Sequence, residues 1–197
     1  MNEIEITNLP GQLTGPEIFE RNAPLCMEIG CGYDSFILKM ARIMPECNFI
    51  GVELERWVLN KLIRKARRVN LPNVRLLRAD AKAVLESDVP SGSIRNFFVN
   101  HPDPWPKKRH RQRRLVNDYF LDLLIDRLEP SGKIYYCSDF EDYSLQVAGK
   151  LYSTGLMRNL SGHSLVVTDL PDYPRTRFMN RFLALGQPIH FVVMEKI

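Results

Sequence analysis

Thirteen residues, PDPWPKKRHRQRR (102–114), join a carboxylate to a dense run of positive charge. Asp103 lies between two prolines and close to Trp105, and six of the eight side chains from Lys107 to Arg114 are cationic. Prolines fix φ and lack an amide donor, so the segment should form a stiff loop and not the interior of a helix or sheet. The pattern predicts a reaction centre beside a surface that binds a polyanion.

Composition limits the class of protein. With 197 residues, 45% of them hydrophobic, the chain can bury the core of one domain, and its 25% charged residues show no repeat or biased tract. The first ten residues carry acids where a signal peptide carries bases, and no apolar run approaches the roughly 18 residues of a membrane span. We therefore expect a single domain over residues 1–197, with 1–23 as a short arm, in a soluble cytoplasmic protein.

The net charge and the cysteines narrow the ligand class only slightly. The net charge of +4 is modest, so the distribution of the basic residues matters more than their sum. The four cysteines contain no C-x-x-C pair, which favours buried free thiols over a metal site. We find no other metal-ligand spacing and expect no metal.

Short β-like runs alternate with helical periods, which is typical of an α/β protein whose parallel sheet is covered by helices. The pattern predicts strands at 25–29, 49–53, 74–79, 94–100, 133–139, 164–168 and 190–196. The last two should form an antiparallel edge. Helices are predicted at about 35–44, 56–69, 81–87, 116–128, 141–154 and 176–185, with a turn at 130–132.

The predicted helix at 56–69 has two distinct faces. We expect one face to be buried through Val58, Leu62, Ala66 and Val69. The other carries a basic stripe, which we interpret as a solvated helix face, with RNA contact as the alternative: Lys61, Arg64, Lys65 and Arg68.

The first two strands end in residues that suit a nucleotide-like ligand. Glu28 is followed by Gly30 and Gly32, and Glu53 comes 21 residues after Gly32. Glycines let the backbone approach a ligand, and the acid can accept hydrogen bonds from ribose hydroxyls. Asp34 lies where a dinucleotide would place its pyrophosphate, so S-adenosylmethionine, which has no phosphate and carries cations, fits better. Asp34 could equally be a helix cap.

Two further acids follow the next two strands. Asp80 ends the third strand and could bind the adenine amino group, or it could cap the following helix. Asp103 follows the fourth strand. One sheet edge would then present four acids at consecutive strand ends, which solubility alone does not explain.

With these motifs in place, the chain resembles the tRNA (guanine-N7)-methyltransferase family. The match runs from about Pro24 to the C-terminus through E-I-G-x-G, F-I-G-V-E, N-x-R-L-L-R-A-D-A, P-D-P-W-P-K-K-R-H, R-R-L-V, S-D-F-E-D-Y and T-R-F. The resemblance implies a Rossmann-like class I methyltransferase with a seven-stranded, mostly parallel sheet. It implies that S-adenosylmethionine is the cofactor and that N7 of a guanine in the variable loop of tRNA is methylated. We expect tRNA as the partner and no membrane, and the sequence leaves open whether the chain is a monomer or a homodimer.

The resemblance also assigns site residues. Asp103 becomes the proposed catalytic residue. The implied cofactor contacts are Glu28, Gly30, Gly32, Glu53, Asp80, Ala81, Asn100 and Asp103. The implied substrate contacts are Lys107, Asp139, Thr176, Arg177, Phe178 and Met179. The implied RNA contacts are Arg109, His110, Arg111, Arg113 and Arg114.

Three segments depart from the family pattern. Asp34 replaces the third glycine of the glycine loop, and Asn100-His101 stands where an aromatic residue usually precedes P-D-P-W. Met179 replaces the glutamate of T-K-F-E, which affects the expected guanine contacts.

Methylation of guanine N7 needs no general base, because this nitrogen keeps a lone pair in the neutral base. Asp103 could stabilise the positive charge that develops on the base, or orient the ring by accepting from N1–H and N2–H. Trp105 or Phe178 could stack on an extruded base, although Trp105 could also cover the core. His101 could touch the cofactor.

Two rival functions remain at the level of sequence. The first is methylation of an exocyclic base amine, because Asn100 and 102–105 resemble an N-P-P-W loop, although Asp103 separates the prolines. The second is a non-catalytic RNA-binding subunit, which the four strand-end acids disfavour.

Overall fold

The computed structural model describes residues 4–7, 11–13 and 15–197. Within them, one sheet contains eight strands: β1 (Glu5–Ile6), β2 (Leu25–Ile29), β3 (Asn48–Glu53), β4 (Val74–Arg78), β5 (Ile94–Asn100), β6 (Leu128–Ser138), β7 (Met157–Asn159) and β8 (His190–Lys196). The helices are α1 (Gly15–Phe19), α2 (Phe36–Ile43), α3 (Arg56–Val69), α4 (Ala81–Ser87), α5 (Asp118–Arg127), α6 (Glu141–Ser153) and α7 (Arg177–Ala184), with a 3-10 helix at Lys108–Arg113.

The strand order is β1-β4-β3-β2-β5-β6-β8-β7. Strands β1 to β6 pair in parallel, whereas β8 pairs antiparallel with both β6 and β7. The predicted α/β fold with a mostly parallel sheet and an antiparallel edge is therefore confirmed. The order reverses between β2 and β5, and ligands of such sheets bind at this switch point, beyond the carboxyl ends of the strands.

The sheet separates two layers of core. Alternate residues of β2 point to opposite faces, so Met27 packs with α4, α5 and α6, whereas Cys26 packs with α2 and α3. All five residues of β2 are buried, which explains why its sequence shows no polar alternation. Each fully buried large apolar side chain of this kind stabilises the fold by about 1.5–3 kcal/mol.

The predicted elements agree with the structure within a few residues, with exceptions at both edges of the sheet. The predicted strand at 164–168 is wrong, because only Val167 forms an isolated bridge there, to Phe191. The side chain of Asn159 instead holds the following chain in a loop by donating to the carbonyls of Gly162 and Ser164. The edge strand is β7, and β1 adds a strand that brings the count to eight among the described residues.

The buried face of α3 is rotated from the predicted one. Leu62 and Ala66 are buried as expected, but the other buried positions are Leu59 and Ile63. Val58 and Val69 are only half-buried. The apolar stripe follows the i, i+3, i+4 spacing from Leu59, so Val58 is turned toward the carboxyl edge of the sheet.

The predicted turn at 130–132 lies inside β6 as a bulge. Leu128 pairs with Ile94, but Lys133 pairs with Asn96, so the strand gains three residues relative to β5. Ser131 has φ +63°. A Cβ on Gly132 would lie 2.8 Å from the carbonyl oxygen of Glu129 and 2.9 Å from that of Arg95, so only glycine fits this close approach of backbones.

No helix in the described parts of the chain has the length and apolar character needed to cross a membrane.

Gly132→Ala should lower the free energy of unfolding by about 1–3 kcal/mol, because the new methyl group must displace backbone atoms. Gly149 in α6 is the matched control, since a Cβ at that position would meet nothing within 4 Å. Gly149→Ala should raise stability by about 0.5–1 kcal/mol through helix propensity. Urea unfolding of both variants measures these changes in the free energy of unfolding. Equal changes of the same sign would contradict the close approach of backbones at Gly132.

Candidate active site

A cavity of about 580 Å³ lies at the carboxyl edge of the parallel strands. Its wall comes from the loops after β2, β3, β4 and β5 and from the first residues of α7. The structure brings to this one cavity the four acids that the sequence places at consecutive strand ends: Glu28, Glu53, Asp80 and Asp103. Within the described residues no group of three or more His, Cys, Asp or Glu side chains is arranged to hold a metal ion.

Glu28 is the most deeply placed of these acids and is only 2% exposed. Its Oε1 accepts a hydrogen bond from Asn100 Nδ2 at 3.1 Å, while Oε2 is buried without a partner among the described residues. Burial raises the pKa of the Glu28 carboxyl well above its ordinary value, and the negative charges of Asp34 and Glu53 act in the same direction. A ligand cation at Oε2 would relieve this unfavourable environment.

Asn100 is oriented by a second layer of side chains that sequence reasoning did not identify. Its Oδ1 accepts from the Tyr173 hydroxyl at 2.8 Å and from Cys137 Sγ at 3.2 Å. Burial raises the pKa of Tyr173 well above its ordinary value, so the phenol stays a neutral donor. With its amide directed to Glu28 in this way, Asn100 positions the buried carboxylate.

The glycine loop is tied to the end of β3. Gly30 and Gly32 have φ values of +66° and +61°, which L side chains rarely adopt. The amide of Gly32 donates to Glu53 Oε2 at 3.0 Å, and that of Glu55 donates to Oε1 at 3.0 Å. Glu53 therefore fixes the loop that lines the cavity beside it.

Asp80 caps a helix, one of the two roles that the sequence left open for it, and it also lies in the cavity wall. Its Oδ1 accepts from the amides of Lys82 and Ala83 at 2.8 and 3.3 Å, so it caps α4. Asp80 and the neighbouring Ala81 both line the cavity. Capping thus anchors a carboxylate that still faces the ligand site.

Asp34 does not cap α2, since the N-cap of that helix is Ser35. One oxygen of Asp34 accepts from the Ser35 amide at 2.6 Å, and the other accepts from the amide of Arg177. The carboxylate therefore links the glycine loop to the start of α7, a contact 143 residues away in sequence that no local pattern indicates.

Of the four predicted substrate contacts at the start of α7, three line the cavity and one is buried in the core. Thr176, Arg177 and Phe178 line the cavity. Met179 is 1% exposed and packs with Cys137, so its assignment as a substrate contact needs correction. The Thr176 hydroxyl accepts from the Met179 amide at 3.1 Å, and the Thr176 amide lies 3.3 Å from Met179 Sδ. Met179 thus completes the cap of α7 from inside the core.

The loop after β5 presents Asp103 and Trp105 to the cavity. His101 and Trp105 have φ values of +49° and +40°, so the stiff loop turns sharply on both sides of Asp103. The indole packs edge-on against the His110 ring with centroids 5.9 Å apart, and the Arg113 guanidinium lies 5.0 Å from the indole centroid. Trp105 therefore stands between the cavity and the basic segment instead of covering the core.

His101 couples the cavity to Asp139. His101 lines the cavity, and its Nδ1 lies 3.4 Å from Asp139 Oδ1. The hydrogen bond from His101 is the main cause that lowers the pKa of Asp139. Asp139 is not itself among the residues that line the cavity.

Arg114 is buried, so its assignment as an RNA contact needs correction. Its side chain is 1% exposed and donates to Pro104 O at 2.8 Å and to Gln146 Oε1 at 2.6 Å, with Asp142 at 3.3 Å. The guanidinium also lies 4.3 Å from the centre of the Tyr143 ring. Arg114 therefore anchors the loop after β5 to α6.

The other cations of the segment remain on the surface. Arg111 forms an ion pair with Asp142 at 3.1 Å. Within the described residues four cations of the segment have no acidic partner: Lys107, Lys108, Arg109 and Arg113. Lys107 is exposed and lies outside the cavity wall.

Comparison with known proteins identifies one family. Residues 22–192 match a family model described as "Putative methyltransferase". A tRNA (guanine-N(7)-)-methyltransferase of Syntrophotalea carbinolica is 37% identical over 180 residues, covering 89% of this chain and 75% of the relative. The protein of the same name from Geobacter metallireducens is 35% identical over 191 residues, covering 95% and 90%.

Solved structures resemble the chain at the level of the fold. A methyltransferase from Pyrococcus furiosus superposes with a TM-score of 0.63 at 18% identity, covering 92% of this chain and 79% of that one. A precorrin-6y C5,15-methyltransferase from Geobacter metallireducens gives 0.61 at 16% identity, covering 89% and 82%.

Glu28→Gln should stabilise the protein without ligand, and the gain should grow as the pH rises. The folded-state pKa of Glu28 is raised, so above the ordinary value of 4.5 the unfolded chain loses this proton while the folded chain keeps it. The free energy of unfolding of the wild-type protein therefore falls as the pH rises from 4.5 to the raised pKa of Glu28. Urea unfolding of both proteins between pH 4.5 and 8 measures the difference, with the exposed Glu55→Gln as control. If the difference in unfolding free energy between wild type and Glu28→Gln did not change with pH, the raised pKa of Glu28 would be wrong.

Arg114→Lys should lower the free energy of unfolding by about 2 kcal/mol, because lysine keeps the charge but loses the planar fork that binds three acceptors. Arg111→Lys is the matched control, since Arg111 contacts the same Asp142 from a side chain that is 42% exposed. We expect less than about 1 kcal/mol from the control. Urea unfolding and the rate of proteolysis within 102–114 test this, and equal effects would show that Arg114 is not the anchor.

Proposed function

The chain belongs to the tRNA (guanine-N7-)-methyltransferase family, and we propose that it transfers a methyl group from S-adenosylmethionine to N7 of a guanine in the variable loop of tRNA. One observation supports this most directly. A single cavity has Glu28 in its wall, with Oε2 buried and unpartnered among the described residues. Asp103 lies on the same wall, beside a segment in which four cations have no acidic partner in the part of the chain that the structure describes. A cationic methyl donor and a polyanionic acceptor can thus meet there.

The residues present fit S-adenosylmethionine. Glu28 Oε2 would hold the positively charged methionine end, because it is buried and has no partner among the described residues. Glu53, Asp80 and the open backbone at Gly30 would hold the adenosine part, where a Cβ at Gly30 would meet nothing within 4 Å. When bound, this cofactor supplies an electrophilic methyl group on a sulfonium. Ala81 and Asn100 complete the proposed contacts.

Asp103 would act on the guanine by charge and orientation. Guanine N7 attacks through its own lone pair, so the protein has no proton to remove and must position the ring. The base becomes cationic as the methyl group arrives, and a fixed carboxylate near it is worth more in this partly enclosed cavity than in water. The Arg114 anchor and the prolines keep Asp103 in place before the base arrives.

The target base has to leave its stack to enter the cavity, at a cost of a few kcal/mol. Trp105 and Phe178 line the cavity and could offset this by stacking, at roughly 1–3 kcal/mol per base. Lys107, Arg109 and Arg113 would bind the phosphates around it, with His110 beside Trp105. Thr176, Arg177 and the His101–Asp139 pair would position the guanine edge.

In this proposal the chain works as one catalytic domain in the cytoplasm, as a monomer or homodimer. The curated relatives share the guanine-N7 activity in their names, so exocyclic amine methylation and a non-catalytic role are not favoured.

Incubation of unmodified tRNA with labelled S-adenosylmethionine should place the label on N7 of a guanine. Nuclease digestion and identification of the labelled nucleoside check this, and a second digestion maps its position. Label on an exocyclic amine, or no label while the cofactor binds, would contradict the proposal.

In the same assay, at saturating cofactor, Asp103→Asn should lower kcat by about 100-fold or more. Asp122→Asn, an exposed acid on α5, is the control and should keep full activity. Full turnover by Asp103→Asn would remove both the electrostatic and the orienting role.

A further inference from the structure

The outer face of α3 carries positive charge that the protein does not neutralise. The helix contains no acid and six basic residues: Arg56, Lys61, Arg64, Lys65, Arg67 and Arg68. Of these six side chains, only that of Arg56 forms an ion pair with an acid in the described part of the chain, and its partner is Glu5. A face with five unpaired cations attracts a polyanion.

Aromatic rings lie among these cations next to the cavity. Trp57 is 59% exposed, so its indole is accessible to a ligand that has an apolar or aromatic face. Lys61 Nζ lies 4.6 Å from the Trp57 centroid and 5.2 Å from that of Tyr33. Arg177 Cζ lies 5.6 Å from the Tyr33 centroid. We call Trp57, Lys61, Tyr33 and Arg177 the rim strip.

The rim strip begins at the active-site cavity and leads away from it. Tyr33 and Arg177 line the cavity, whereas Trp57 and Lys61 lie outside its wall. Lys65 fixes the inner end, because its Nζ donates to Tyr33 O at 2.6 Å. A ligand that leaves the cavity on this side would therefore pass Arg177 and Tyr33 before it reaches Trp57.

The strip and the basic segment lie on different sides of the sheet. Arg114 and Arg111 attach the segment to Asp142 of α6, and α6 packs on one face of the sheet. Trp57 and Lys61 of the strip lie on α3, which packs on the other face. A strand of nucleic acid whose central base enters the cavity would meet cations on both sides.

We propose that the rim strip binds the RNA strand next to the methylated guanine, with Trp57 stacked on a flanking base and Lys61 near a phosphate. This inference rests on the proposed function and adds a second RNA-binding surface to the segment at 107–113. Alternating aromatic rings and unpaired cations suit single-stranded nucleic acid, which offers base faces and phosphates in turn.

Trp57→Ala should weaken the binding of unmodified tRNA at least about fivefold, measured by fluorescence anisotropy, while Trp57→Phe keeps most of the affinity. Tyr119→Ala is the matched control. Tyr119 is also an exposed aromatic beneath a lysine, Lys82 at 4.9 Å, but it lies on α5 on the opposite face and should leave affinity unchanged. Cofactor binding by calorimetry should be the same in all variants.

Lys61→Gln gives an independent measurement. If Lys61 contacts a phosphate, the slope of log K against log[salt] should become shallower by about one. If Trp57→Ala fails to fold, the salt slope of Lys61→Gln alone tests whether the rim strip binds RNA. Wild-type affinity in Trp57→Ala together with an unchanged salt slope in Lys61→Gln would overturn the rim strip while tRNA methylation by the wild type stands. A wild-type protein that neither binds nor methylates tRNA would overturn both proposals.

Discussion

The site depends on a carboxylate that the fold buries without a cation. Glu28 is the second-last residue of β2, a strand that is covered on both faces. Its side chain is buried, and one of its oxygens has no hydrogen-bond partner among the described residues. Asn100 partly offsets the lost hydration, and Tyr173 and Cys137 hold Asn100 in turn. The packing around Glu28 holds its side chain in place despite the free-energy cost of burying an unpartnered oxygen. A bound cation would remove that cost.

The sequence predicted most of the fold because its strands are buried on both faces and bounded by clear breaks. The prediction of a strand at 164–168 failed because SLVVT, despite its β-forming residues, meets β8 only at the Val167–Phe191 bridge. The strand that pairs along the edge of β8, at residues 194–196, is β7. Periodicity reports how a segment would bury its side chains and says nothing about which strand takes the edge. The buried face of α3 was also predicted wrongly by one position. Val58 and Val69 fit one helical stripe and Leu59 fits an overlapping one, and periodicity alone cannot choose between the two stripes.

The site was predictable where one residue acts from the end of one strand. Glu28, Glu53, Asp80 and Asp103 follow this rule, because parallel strands bring their carboxyl ends to one edge. The role of a site residue was not predictable where it depends on a hydrogen bond to a residue far away in the sequence. Arg114 looks like its cationic neighbours in sequence, yet three acceptors from Pro104, Gln146 and Asp142 bury it. Composition cannot separate an anchoring arginine from one that binds phosphate.

Two of the departures from the family pattern act on the same helix end. The family motif carries an acid at the third helical position of α7, where this chain has Met179, and the first turn of α7 contains no acid. A carboxylate near a helix N-terminus stabilises the helix by accepting from free amides and opposing the dipole. Asp34, in place of a glycine, accepts from the amide of Arg177, the first residue of α7. The acid is thus supplied from the glycine loop, and the same bond fixes Arg177 and Phe178 against the cavity.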